Sequence, residues 1–179
     1  MTYFLAHDVC AKLGIRNSVQ TYKTYNLIEG RDYIKFKQSM NTTLFKRLID
    51  EGCAHPTDTS LYIFTIIGLI EVLFKSKSTA TRAIKDEMGL TTDYKFYESY
   101  GYKLVSEIVG NLSADKRQKF YQDESYALDV VRKKGGVMTE EVLDSIRLIR
   151  SFANGVYRSG DVESADLSVL NRYFKCFSI

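Results

Sequence analysis

Apolar positions recur along this chain in two periods, and the places where one period yields to the other mark its predicted elements. Residues 6–14 read as a short helix: Val9 and Leu13 lie four apart on one face, and Gly14 can take the left-handed conformation that ends it. Ile15, Arg16 and Asn17 lead to a new start signal, with Asn17 or Ser18 as N-cap. A second helix is predicted from Val19 to about Tyr25, burying Val19 and Tyr22. Two short helices joined by a tight glycine-containing turn form a helix-turn-helix pattern.

Beyond turn chemistry around Gly30 the period becomes two. Ile34 and Phe36 alternate with Tyr33, Lys35 and Lys37, which predicts a strand with one face in the core and a basic face outward. Residues 61–64 are its predicted partner, with a helix near 43–50 and a loop at 52–60 in between. A helix-turn-helix followed by a β-hairpin describes a winged helix. Thr65 is a good N-cap for a helix from 66 to about 75, and a further helix follows Ser78 and stops at Gly89.

From there the period is helical. Leu104, Val105, Ile108, Val109 and Leu112 form one stripe, and Ser113 caps a segment reaching about residue 134. Gly135 and Gly136 break the chain, and Thr139 opens a helix with the stripe Val142, Ile146, Ile149, Ala153 and Val156. A last helix is predicted to bury Leu167, Leu170, Tyr173, Phe174 and Phe177. The expected architecture is mainly α (α+β). A winged helix-turn-helix domain with a small β-hairpin occupies residues 1–89, and a helical bundle for oligomerisation or partner binding occupies 90–179.

Composition changes this picture only in part. Apolar residues make up 45% of the chain, enough for a real core, and a single proline leaves regular structure largely uninterrupted. The net charge of +3 is small, but its placement is uneven. Lys12, Arg16, Lys23, Arg31, Lys35 and Lys37 face only Glu29 and Asp32 between residues 12 and 37. The three cysteines, Cys10, Cys53 and Cys176, are odd in number and far apart, which suits neither a disulfide framework nor a metal site and points to a reducing compartment. The first residues lack the basic start of a signal peptide, and the most apolar stretch, 61–74, falls short of the roughly 20 residues of a membrane span.

Two segments carry a family resemblance. Residues 3–14, Tyr-Phe-Leu-Ala-His-Asp-Val-Cys-Ala-Lys-Leu-Gly, are similar to the opening run of the Bro-N family, found in phage antirepressors and baculovirus repeat proteins. Residues 66–80 resemble that family's Gly-Leu helix, its Ser/basic turn and its Ala-led helix. Tyr3 stands where the family often has tryptophan, and the Ser-to-Ala spacing is one residue shorter. The resemblance implies a DNA-binding N-terminal module in a phage or prophage regulator, cytoplasmic in a bacterial host.

On this reading the DNA-contacting residues are Arg16, Asn17, Ser18, Gln20, Thr21 and Lys23 at the second helix, with Arg31, Lys35 and Lys37 on the turn and wing. Arg pairs with guanine, Asn and Gln with adenine, and strand lysines reach phosphates. Catalysis finds little support: His7 and His55 lie in no metal-ligand or acid–base spacing, and no phosphate-binding glycine motif occurs. No cofactor or metal is expected. The expected partners are double-stranded DNA, a second copy of the chain through residues 90–179, and another regulator protein, with no membrane. The alternative is an antirepressor or host-factor inhibitor that binds protein without touching DNA.

Overall fold

The computed structural model describes residues 2–16, 20–87, 99–154, 156–159, 162–166 and 170–179. β1 (Thr2–Leu5) runs directly into α1 (Ala6–Lys12), followed by the single-turn α2 (Thr21–Thr24) and β2 (Tyr33–Lys37). A 3-10 turn (Gln38–Met40) and α3 (Thr42–Asp50) lead to β3 (Ser60–Thr65), α4 (Ile66–Lys75) and α5 (Thr79–Glu87). Further along are α6 (Tyr100–Gly110), α7 (Ala114–Gln122), α8 (Glu124–Lys133) and α9 (Glu140–Ala153). The chain closes with β4 (Val156–Ser159), β5 (Val162–Asp166), α10 (Leu170–Tyr173) and β6 (Cys176–Ser178).

The architecture is α+β. Four strands form an antiparallel sheet in the order β2-β3-β1-β6, and β4 and β5 form a separate two-stranded ribbon. The pairing of residues 33–37 with 61–64 is realised, with Tyr33 opposite Phe64 and Lys35 opposite Tyr62. Alternation then divides the sheet into two faces. Leu5, Phe36, Ile63 and Phe177 point to one side and pack on Leu44, Phe45 and Leu48 of α3. Phe4, Tyr33 and Phe64 point to the other, where α4, α6 and α9 supply Leu69, Leu73, Val105, Val109, Ile146 and Phe152.

Local chemistry accounts for the helix starts. Asn41 Oδ1 accepts the Leu44 N–H at 2.9 Å, Thr65 Oγ1 accepts that of Gly68 at 3.1 Å, and Thr139 Oγ1 accepts that of Val142 at 3.3 Å. Gly14, at φ 69°, follows the end of α1 as its position predicts. The segment expected as one helix over 113–134 is divided at Asp123, whose carboxylate accepts the Tyr126 N–H at 3.0 Å and caps α8.

Three expectations are corrected. The strand pair is no free wing: α3 lies in its connection and covers one face, while β1 pairs with the far edge of β3. Val156, assigned to the stripe of the preceding helix, belongs to β4. The last predicted helix is a single turn followed by a strand, because β1 has an open edge that Cys176–Ser178 fills. Asp8 holds this junction. Its carboxylate accepts the Lys175 N–H at 2.7 Å and pairs with Lys12 at 3.0 Å, while Lys12 also donates to the Tyr173 carbonyl.

The proposed boundary at 89/90 lies outside the described residues, yet the flanking halves share one sheet and one continuous core. Val142, Ile146, Ile149 and Phe152 are buried inside that core, so the apolar surplus from which a dimer was expected is consumed within the chain. Among the described residues, no helix is long and apolar enough to cross a membrane.

Gly68 shows how tightly α4 meets the sheet. A Cβ there would lie 1.8 Å from the Asp32 carbonyl oxygen, which itself accepts the Thr65 N–H at 2.9 Å. Gly68→Ala should therefore destabilise the protein by about 2 kcal/mol or more, because backbone overpacking outweighs the gain of about 1 kcal/mol in helix propensity. Urea denaturation checks this, and a stabilised variant would refute the close approach.

Candidate nucleic-acid interface

The basic residues singled out between 12 and 37 separate into an exposed set and a buried one. Lys35 and Lys37 lie two apart on β2, exposed and on the same side as Tyr33. Opposite Lys35 stands Tyr62, with the Lys35 ammonium 5.9 Å from its ring centroid. Tyr62 stacks on Tyr22 of α2, centroids 5.5 Å apart and planes inclined by 15°, and Lys23 lies 5.8 Å from the centre of the Tyr22 ring. The stacked pair thus joins α2 to the β2–β3 ribbon and carries a lysine at each end.

Tyr33 completes this aromatic group, 5.1 Å from Tyr22 and 6.0 Å from Tyr62. Burial pushes the Tyr33 hydroxyl up, and the nearby Glu29 carboxylate adds to the shift. Glu29 is exposed and is therefore a countercharge at the margin of the same surface. Arg16 and Gln20 are exposed as well. Asn17 and Ser18 lie outside the described residues.

Two predicted contacts are corrected by burial. Thr21 is 1% exposed, and its hydroxyl lies 3.3 Å from the Cys10 sulfur, so it faces α1 and not a ligand. Arg31 is 2% exposed and cannot reach a phosphate. Its Nε and Nη2 donate to the two oxygens of Asp32, each at 2.5 Å, and Nη2 also donates to Glu71 at 3.3 Å.

Arg31 belongs to a buried ionic cluster. The Tyr102 hydroxyl of α6 donates to Glu71 Oε1, and Lys75 Nζ lies 2.7 Å from Glu71 Oε2 while donating its hydrogen bond to the Tyr25 carbonyl. Burial opposes the charge on Arg31, but Asp32, Tyr102 and Glu71 outweigh it and hold the guanidinium protonated. Burial pushes the Asp32 carboxyl up from the ordinary carboxylate range; Arg31 and the Ile28 N–H, 2.8 Å away, partly hold it back.

The aromatic pair went unrecognised in the sequence as part of the surface, since Tyr22 was assigned to the core. Its signal is Tyr62, which shares the Phe64 face of β3 and stands in register with the exposed Lys35. The cluster also has a legible signal: Glu71 sits in the otherwise apolar stretch 61–74, and a buried carboxylate requires a cation. Among the described residues, no group of three or more His, Cys, Asp or Glu side chains could hold a metal ion. No family model matches the chain, and neither the curated proteins nor the solved structures contain a match.

Glu71→Gln would keep the shape of the side chain while removing the charge shared by Arg31 and Lys75. A loss of about 3–5 kcal/mol in unfolding free energy is expected. Chemical denaturation measures it, and a loss below about 1 kcal/mol would show that the cluster tolerates an uncompensated cation.

Proposed function

We propose that this chain binds duplex DNA as a transcriptional regulator, using the surface formed by Lys23, Lys35 and Lys37 around the Tyr22–Tyr62 pair. The observation that carries this reading is that cations from two separate elements, α2 and β2, meet across one aromatic stack. Fixed cations of this kind suit a phosphate backbone, where binding releases condensed counterions. The resemblance of residues 3–14 and 66–80 to the Bro-N family supports the regulatory half of the proposal.

The contact is assigned to phosphates first. α2 is a single turn of four residues, too short to present several side chains along a major groove, and Thr21 faces inward. Arg16 and Gln20 are the described residues left to touch base edges. A winged helix-turn-helix remains part of this proposal only in the loose sense that a short helix and a basic strand pair share one face.

Fluorescence anisotropy with a labelled duplex across a salt series tests the reading. Lys35→Ala with Lys37→Ala should weaken binding to all sequences alike and reduce the salt slope by about 2. Glu29→Gln should act in the opposite direction and tighten binding, because it removes the countercharge. If the double variant leaves the slope unchanged, this surface is not the interface. If the wild-type chain does not bind duplex at low salt, the reading passes to an inhibitor acting on a protein partner.

A further inference from the structure

The exposed cations of the basic surface sit on two elements, α2 and β2, and the chain between them is tied to buried charge at both ends. At the β2 end, Asp32 Oδ2 accepts the Ile28 N–H at 2.8 Å, and Thr65 Oγ1 donates to the Arg31 carbonyl at 2.6 Å. At the α2 end stands Lys75, the last residue of α4. Its Nζ lies 2.7 Å from Glu71 Oε2 and donates to the Tyr25 carbonyl at 2.8 Å. Glu71 is fully buried and also accepts from Arg31 and Tyr102, so the place of this ammonium is set from the interior.

α2 needs an external tie. It is a single turn of four residues, and a turn that short has no stability of its own because helix nucleation is unfavourable. Its buried residue is Thr21, whereas Tyr22 is half-buried and Lys23 is exposed. Immediately beyond Tyr25, Asn26 takes a left-handed φ of 51°, and the Leu27 N–H returns to the Tyr22 carbonyl at 2.8 Å. A cation at the carbonyl end of a turn is electrostatically favourable, and Lys75 brings one from a different element. The tie lands where the chain leaves α2. It thereby acts on Tyr22, which stacks on Tyr62, and on Lys23, 5.8 Å from the centre of the Tyr22 ring.

We propose that Lys75 is a positioning residue for the basic surface, a role that rests on the DNA reading above. By bridging the buried Glu71 carboxylate to the Tyr25 carbonyl, it sets α2 against the β2–β3 ribbon and places Lys23 on the same surface as Lys35 and Lys37. Lys35 and Lys37 are placed separately, by strand pairing with β3 and by the ties of Asp32 and Thr65. Lys75 therefore governs the α2 cation and not the two on the strand. Its own ammonium is already committed to two acceptors, and its side chain is only 19% exposed, so it acts through α2 and not by touching DNA.

Lys75→Met in the full chain tests this by NMR and by duplex binding across a salt series. NOEs between the Tyr22 and Tyr62 rings should be lost while those between β2 and β3 persist. The variant should weaken binding to all sequences alike and lower the salt slope by about 1, as Lys23→Ala does alone. Adding Lys23→Ala to Lys75→Met should change nothing further, whereas adding Lys35→Ala with Lys37→Ala should still lower the slope by about 2. Should Lys75→Met not fold, Lys75→Gln, which keeps a neutral donor for Glu71 with a shorter reach, is read against the same outcomes. Retained Tyr22–Tyr62 NOEs or an unchanged slope would overturn the proposal. A further loss on adding Lys23→Ala would overturn it too, by showing that Lys75 itself meets phosphate. So would loss of the Lys35 and Lys37 contribution, the mark of a general structural role. If the wild-type chain binds no duplex, the DNA reading falls, and the NOEs alone decide whether Lys75 positions α2.

Discussion

The interior of this protein is organised around charge that cannot leave it. Arg31, Asp32 and Glu71 are all almost fully buried, and both carboxylates depend on the Arg31 cation for neutralisation, Glu71 on Lys75 as well. The cluster spans the approach to β2, the middle of α4 and, through Tyr102, the start of α6. Replacing such a group with apolar residues need not cost stability, whereas removing one partner does, because an uncompensated charge then remains in low dielectric. The value of the arrangement is geometric. It requires α4 to lie against residues 31 and 32 at one height, and Gly68, in contact with the Asp32 backbone, permits that approach. Thr65 reinforces the position by donating to the Arg31 carbonyl at 2.6 Å while capping α4.

Several features elsewhere follow from this arrangement. With α4 fixed against the turn at Gly30, Arg117 reaches across from α7 and donates to the Gly30 carbonyl at 2.6 Å. Asp32 and Glu71 engage only two of the three guanidinium nitrogens of Arg31, and the third, Nη1, is buried without a hydrogen-bond partner. The next residues, 33–37, emerge from the core as β2. Tyr33 is the last side chain on its face to be buried, and Lys35 and Lys37 are exposed. Inner charge and outer charge are therefore neighbours in sequence with opposite fates. Arg31 stabilises the interior, while Lys35 and Lys37 give the surface its sign.

The closure of the sheet rests on contacts between the two ends of the chain. β1 has β3 on one side and β6 on the other, and Asp8, one turn into α1, holds the Lys175 amide beside it. Strands of four and three residues have little stability alone, and pairing across nearly the whole chain carries a loop-closure cost that local preference cannot meet. Phe177 meets it by inserting between Phe36 and Tyr3, with ring centroids 6.2 and 6.5 Å away. The C-terminal segment is thus part of the core shared by both halves.

Sequence alone determined the elements whose signals are local. Alternation at 33–37 and 61–64 defined a strand pair, Thr65 and Thr139 marked helix starts, and Gly14 marked a helix end, because period, cap and left-handed glycine each act within a few residues. Tertiary structure decided everything that depends on a distant partner. Residues 176–178 are a strand and not a helical turn because β1 offers an open edge, and Val156 leaves the helical stripe for a ribbon with β5. Arg31 and Lys35 look alike in sequence as cations flanking a turn. Only the arrival of Glu71, forty residues on, gives Arg31 a second buried carboxylate, whereas Lys35, two residues past the buried Tyr33 on the same strand, stays exposed.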